Sequence, residues 1–268
     1  MLRKEEYKRV IEIVKGYTNI NEAILYLENY KCNNNPYLKA LIKKYKKRKK
    51  LIIEEKKYIE EHKEVEFEMK EKGFQNIAGT DNTGQVALAG PVIAASVVLP
   101  TDFSIPYIGL ASKLTTNKID YLAEFIKERS LSFGISEIDF EVVEKLNATK
   151  STDLAMRISI YKMDLKPDVI LSYCSKFSGM NTKQVIVKRG KQKSLSLFAA
   201  SILARAERNR QMKKMDELYP EFGFAIHKGY RTKKHIEIIR EKGLSPIHRK
   251  NFIKRIIRDD GYNQISMF

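Results

Sequence analysis

Cysteine is scarce in this chain: only Cys32 and Cys174 occur among 268 residues. That pair builds no disulfide framework, and it lacks the clustered spacing of a zinc site. Long apolar runs are also missing. The longest, Val86 to Pro100, carries Gly90-Pro91 in its interior and is too short to cross a bilayer. The opening MLRKEEYKR has no apolar signal core, so a cytoplasmic protein with no membrane partner is expected. Internal repeats and low-complexity linkers are absent. Acid is in short supply as well: 33 Asp+Glu against 50 Lys+Arg leave a net charge of +17. Such a surplus points to a polyanionic partner, most often nucleic acid. A Lys-, Asn- and Ile-rich composition of the AT-rich-genome kind would also produce it.

What remains is ordinary globular material, 43% hydrophobic and 31% charged, enough for one sizeable domain and an appendage. Residues 1–72 read as a helical, Lys-rich extension. One helix is predicted over about 4–16, and a second from the Asn19/Asn21 cap region to about Tyr30. A third runs from Pro36 to about Lys72, with proline at its start and Gly73 past its end. Its middle, LIKKYKKRKK (41–50), carries seven basic residues. That stretch is either a solvated helix face or an arm that contacts phosphates. From Phe74 the pattern changes. Apolar, β-branched runs at about 75–81, 90–99, 131–138, 168–174 and 184–188 alternate with helical stretches at about 117–129, 141–147, 150–163, 194–218 and 232–242. Five strands interleaved with helices predict an α/β domain over 73–255, followed by a tail at 256–268.

Four blocks carry a specific likeness. IAGTDNTGQVALAGPVIAASVVLP (77–100) is an apolar strand ending in Asp, a glycine turn, then AGPV and a second strand. Gly109-Leu110-Ala111-Ser112-Lys113-Leu114-Thr115, KLNATKSTDLAM (145–156) and the long run 193–252 follow in order. Together they resemble bacterial ribonuclease HII over roughly residues 74–252. The resemblance implies a ribonuclease H-like fold, a five-stranded mixed sheet flanked by helices, and a monomer. It implies a nucleic-acid partner as well, an RNA–DNA hybrid or a ribonucleotide-containing duplex.

The family's hydrolysis uses paired Mg²⁺ or Mn²⁺ ions held by four carboxylates. Here the resemblance places Asp81 at the first position, but Asn82, Tyr173 and Asn209 at the other three. A formal site charge of −4 becomes −1. An amide offers one neutral oxygen, and a phenol is a poor ligand for a hard cation. Asp168 and Glu207 are acids close in sequence. However, Asp168 belongs at the far end of its strand, and Glu207 lies about 200° round its helix from Asn209. Two readings follow: a nucleic-acid binder that has lost turnover and needs no cofactor, and a metal-dependent endoribonuclease with an unusual ligand set. A pure interaction protein is a third, disfavoured by the charge.

The family reads the ribose 2′-hydroxyl with the backbone of a Gly-Arg-Gly turn, which corresponds to Gly84, Gln85 and Val86; a Cβ at Val86 is expected to obstruct close approach. The tyrosine that stacks beneath the ribose corresponds to Tyr230. The resemblance also puts Lys193, Ser194, Arg205, Arg208, Arg210, Lys228, Arg231 and Arg249 on the phosphate-binding surface. His227 and His248 fall at family positions and read as structural hydrogen-bonders. Finally, the tail Gln264-Ile265-Ser266-Met267-Phe268 looks like the short peptide that docks into the bacterial sliding clamp through Gln264, Ile265, Met267 and Phe268.

Overall fold

A computed structural model describes residues 4–31, 34–105, 114–173, 176–188, 190 and 193–259. The clamp-like tail and residues 109–113 of the Gly-Leu-Ala-Ser-Lys block lie outside them. The described residues fall into two compact units that divide between Glu60 and Glu61.

The first unit is helical: α1 (Lys4–Gly16), α2 (Ile20–Glu28) and most of α3 (Pro36–Glu61). Asn19 starts α2 by accepting the Asn21 amide on its side chain. Val10, Val14, Ala23, Leu27, Leu38 and Leu41 form its core, ringed by tyrosines. Within 41–50 only Leu41 is buried and all seven basic residues are exposed, so this stretch of α3 is a solvated face, with Lys46 on Glu28 at 2.5 Å. The long predicted helix breaks after Glu61. Its continuation, α4 (Glu64–Glu71), belongs to the second unit, because Val65 and Met69 turn to pack with Ile77, Val169, Leu171, Val187 and Leu197. The two compact units divide at 60/61, whereas the composition of the chain changes at 72/73.

The second unit is built on five strands, β1 (Ile77–Thr83), β2 (Val92–Val98), β3 (Ser132–Ile138), β4 (Val169–Ser172) and β5 (Lys183–Ile186), in the order β3-β2-β1-β4-β5. β1 and β2 form an antiparallel hairpin extended by β3, while β4 and β5 run parallel to β1. α5 (Thr116–Arg129) leads into β3, and α6 (Phe140–Leu146) and α7 (Ala148–Tyr161) lead out of it. α8 (Leu195–Leu218), α9 (Phe224–His227), α10 (Lys233–Lys242) and α11 (Lys250–Asp259) follow among the described residues; α11 was not expected from the sequence.

Strand alternation assigns the two faces of the sheet. Ile77, Val169 and Leu171 pack with Leu197 of α8, whereas Val92, Ala94 and Ile170 pack with Ala155, Met156 and Ile160 of α7. α8 lies so close to β1 that a Cβ at Gly79 would collide with the backbone of Ser196 and Leu197. Gly79→Ala is expected to push α8 off the sheet and cost about 3 kcal/mol of unfolding free energy. A urea midpoint within error of the parent would refute that contact.

Candidate nucleic-acid and metal site

Asp81 lies two residues beyond Gly79 on the same face of β1, turned toward α8 and 4% exposed. The parallel register ends at Thr80↔Ser172, so Tyr173 comes one step further, alongside Asp81. Val169 and Leu171 face α8, and alternation puts Tyr173 on that side, 47% exposed. On α8, Arg205 lies within electrostatic reach of both Asp81 and Tyr230. Burial lowers the Arg205 pKa, and those two groups oppose the shift. Asn209 follows one turn later on the same face, half-buried. Asn82 points the other way, its amide 3.9 Å from the Met156 sulfur on α7.

The turn after β1 is held from beneath by two arginines. Gly84 has φ +87°, and a Cβ there would strike the Arg208 guanidinium and the Pro91 carbonyl. Arg208 donates to the carbonyls of Pro91, Ala89 (3.1 Å) and Lys228 (2.9 Å). Arg249 donates to Gly84 (2.8 Å), Gln85 (3.2 Å), Gly90 (2.6 and 2.9 Å) and Pro91 (3.0 Å). Each is 1% exposed. Burial pushes Arg249 down to about 9, helped by its neighbour Arg208, and burial likewise lowers Arg208. The terminal nitrogens of Arg208 and all three nitrogens of Arg249 are engaged by carbonyls. The expectation that they contact phosphates is therefore corrected: they build the turn.

Ser194 is corrected in the same way. It is fully buried, caps α8 by accepting the Leu197 amide (3.2 Å), and donates to Glu66 (2.6 Å). Glu66 also takes the Ser196 amide (2.9 Å) and hydroxyl (2.6 Å), so a carboxylate from α4 sits on the N-terminus of α8. Nothing in the sequence pattern of α4 marked that role. Lys193 is exposed and pairs with Glu64 at 3.4 Å. Arg210 is exposed and engages Glu207 through Nε at 3.0 Å. Lys193 precedes the α8 start and lies against α4, its carbonyl accepting the Val65 amide at 3.4 Å, so these contacts are with α4 and not with the turn.

Tyr230 reaches the turn directly. Its hydroxyl accepts the Gly84 amide at 3.1 Å and lies 2.8 Å from the Thr83 hydroxyl, while the Arg208 guanidinium lies 5.3 Å from its ring centre. Val86 stands at the outside of the turn, 64% exposed. Lys228 adopts φ +53°, a costly conformation for a side chain, held by Arg208 on its carbonyl.

The acids nearest in sequence, Asp168 and Glu207, do not join Asp81. Asp168 accepts the amides of Gln75 (3.0 Å) and Asn76 (2.8 Å) at the far end of β4. Burial acts to raise Glu207, but hydrogen bonds from Arg210 and Gln211 hold it below the usual carboxylate range. Among the described residues no group of three or more His, Cys, Asp or Glu is placed to hold a metal ion. One carboxylate, two amides and a phenol do not fit a pair of divalent cations.

The family model described as Ribonuclease HII matches residues 78–256. The chain belongs to the ribonuclease HII family. It is 40% identical to the ribonuclease HII of Caldanaerobacter subterraneus subsp. tengcongensis, over 75% of this chain and 84% of that one. In fold it is similar to the ribonuclease HII in the PCNA complex from Archaeoglobus fulgidus (TM-score 0.56, 19% identity, 71% and 98% of the two chains). It is likewise similar to Bst-RNase HIII in complex with Mn²⁺ (TM-score 0.52, 17% identity, 63% of each chain). The ribonuclease H-like fold expected of the family is the one observed, with β1, β4 and α8 bringing positions 81, 173 and 209 of this ribonuclease HII relative to one face. Among the described residues no helix is long and apolar enough to cross a membrane.

Proposed function

We propose that this chain engages RNA–DNA hybrid, or duplex DNA carrying a ribonucleotide, through the turn at Gly84–Val86 and the Tyr230 ring, and does so without two-metal hydrolysis. The observation that supports this is the pairing of a turn tied to the retained Tyr230, its hydroxyl accepting the Gly84 amide, with a donor set reduced to Asp81. Arg205, within electrostatic reach of Asp81 and Tyr230, would meet a backbone phosphate on this reading.

A second reading, an endoribonuclease that cleaves the RNA strand of hybrids with Mg²⁺ or Mn²⁺ and an atypical ligand set, draws on a different observation. Identity of 40% to a ribonuclease HII over most of the chain weighs toward conserved activity, and Asp81 stands in its place. Family membership favours this second reading; donor chemistry favours the first. Under either, a monomer working in the cytoplasm is proposed, with the tail Gln264–Phe268 tethering it to a sliding clamp.

The deciding assay incubates the full chain with a labelled duplex carrying one ribonucleotide, and with a longer hybrid, in Mg²⁺ or Mn²⁺. Retention without cleavage, weakening with salt at a slope of about −0.9 per phosphate contacted, supports the binder. Cleavage that disappears in Asp81→Ala establishes the enzyme. A chain that neither binds nor cuts refutes both.

A further inference from the structure

Three of the chain's four histidines gather behind Tyr230, and their hydrogen bonds admit one protonation pattern. His235 Nδ1 lies 2.9 Å from the Tyr230 carbonyl, which can only accept, so Nδ1 carries the proton. His235 Nε2 is then an acceptor, and His248 Nε2, 3.0 Å away, must donate to it. This leaves His248 Nδ1 bare, and it accepts from the Ser245 amide (2.8 Å) and hydroxyl (2.7 Å). His227 stacks on His235 at 3.9 Å and 15°, donates from Nε2 to the Phe222 carbonyl (2.7 Å) and accepts the Gly229 amide at Nδ1 (3.2 Å). Every ring nitrogen of the cluster is used, with all three rings neutral.

The chain of bonds has a direction. It begins at the fixed Ser245 amide, passes through two imidazoles and ends on the carbonyl of the residue whose phenol meets Gly84. The same segment is also held by the Leu88 amide on the Gly229 carbonyl (2.8 Å) and Arg208 on the Lys228 carbonyl, and Tyr230 itself by its amide on the His227 carbonyl (2.9 Å) and by the Thr232 amide on its own carbonyl (2.9 Å). Those last two are local to the loop, whereas the His235 bond ties the Tyr230 carbonyl to α10 and, through His248, to Ser245. We propose that His235 and His248 are a positioning pair for Tyr230, fixing its backbone so that its phenol stays on the Gly84 amide and its ring is presented to nucleic acid. That last clause rests on the function proposed above; the positioning does not.

The design is sensitive to one proton. At His235 Nε2 an added proton would set two donors face to face, and at His248 Nδ1 it would face the Ser245 amide. The site resists protonation: His235 and His248 are 0% and 3% exposed, packed against Phe224, and burial pushes them down to about 4 and about 3. The titratable and charged groups around them are His227, with Asp216, Lys228 and Lys234 acting on it, together with Tyr230 and Arg249. Because the folded values lie below the unfolded value of about 6.5, the neutral pair's contribution is fully present above pH 6.5 and lost as pH falls toward 4.

The test uses the full chain. Long-range ¹H–¹⁵N spectra at pH 7 are expected to show His235 as the Nδ1–H tautomer and His227 and His248 as Nε2–H, with His235 and His248 neutral to pH 5. The Gly84 amide resonance should hold its position over that range and move below it. His235→Leu should displace the Gly84 amide in the free protein and weaken labelled-hybrid binding about tenfold; His235→Asn, which keeps a donor for the Tyr230 carbonyl, should recover most of both. In a Tyr230→Ala background the His235→Leu penalty should vanish. Charged imidazoles at pH 7, the opposite tautomers, or an undiminished penalty in Tyr230→Ala would overturn the positioning pair. If the parent chain binds no hybrid, the functional reading falls, while the tautomers and the Gly84 amide still decide the proposal.

Discussion

The variant Asn82→Glu, Tyr173→Asp, Asn209→Asp is expected to cleave a duplex carrying one ribonucleotide in millimolar Mg²⁺ at least about 10³-fold faster than the parent chain. The reason is charge and geometry together. β1, β4 and α8 already bring positions 81, 173 and 209 to one face of the sheet, so the substitutions place carboxylates where the backbone can hold them. A Glu at 82 starts from the α7 side, and its longer chain gives it the reach to join the others. Without metal, four clustered acids repel one another, so the variant should be less stable than the parent in EDTA and regain stability when Mg²⁺ is added. Arg205 offsets part of that repulsion. The readouts are cleavage of a labelled strand and the thermal midpoint with and without Mg²⁺. Activity should then depend on Asp81, disappearing in the quadruple variant with Asp81→Ala. An inert, well-folded triple variant would mean that positions 82, 173 and 209 are not where the family's carboxylates stand.

Arg249→Ala is expected to lower the unfolding free energy by about 3 kcal/mol and abolish hybrid binding with it. Removing the guanidinium leaves the carbonyls of Gly84, Gln85, Gly90 and Pro91 without that donor in a buried setting, each at a cost of about 1–3 kcal/mol. The net is smaller than the sum, because removing one of two adjacent buried cations relieves its repulsion with Arg208 and the cost of desolvating it. Arg249→Lys should rescue little. An ammonium is a compact point charge, whereas the guanidinium spreads its donors over four carbonyls at once. Urea denaturation of the three proteins measures the effect. A loss under about 1 kcal/mol for Arg249→Ala would show that the turn holds without its arginine.

Much of the fold was legible in the residues. The five strand runs fall within a few residues of β1 to β5 because apolar, β-branched runs bounded by turn residues are a local property. The break after Glu61 was not legible: both halves of that stretch have good helix formers, and only the distant partners of Val65 and Met69 make the chain turn there. Arg208 and Arg249 were misjudged for a similar reason. An arginine in a basic protein reads as a surface cation, and the carbonyls that bury these two lie far off in sequence, between Gly84 and Pro91 and at Lys228. His235 gave no sequence signal, since its partners Tyr230 and His248 matter only once the loops have closed.

The sequence by itself determined the chemistry available at the site: which side chains are ionisable, and that Asp81 has Asn82, Tyr173 and Asn209 for its candidate partners, because residue identity needs no folding to be read. Only the tertiary structure decided which cations face solvent and which are consumed in holding a turn, because burial and hydrogen-bond partners are set by segments that meet across the sheet and not by neighbours along the chain.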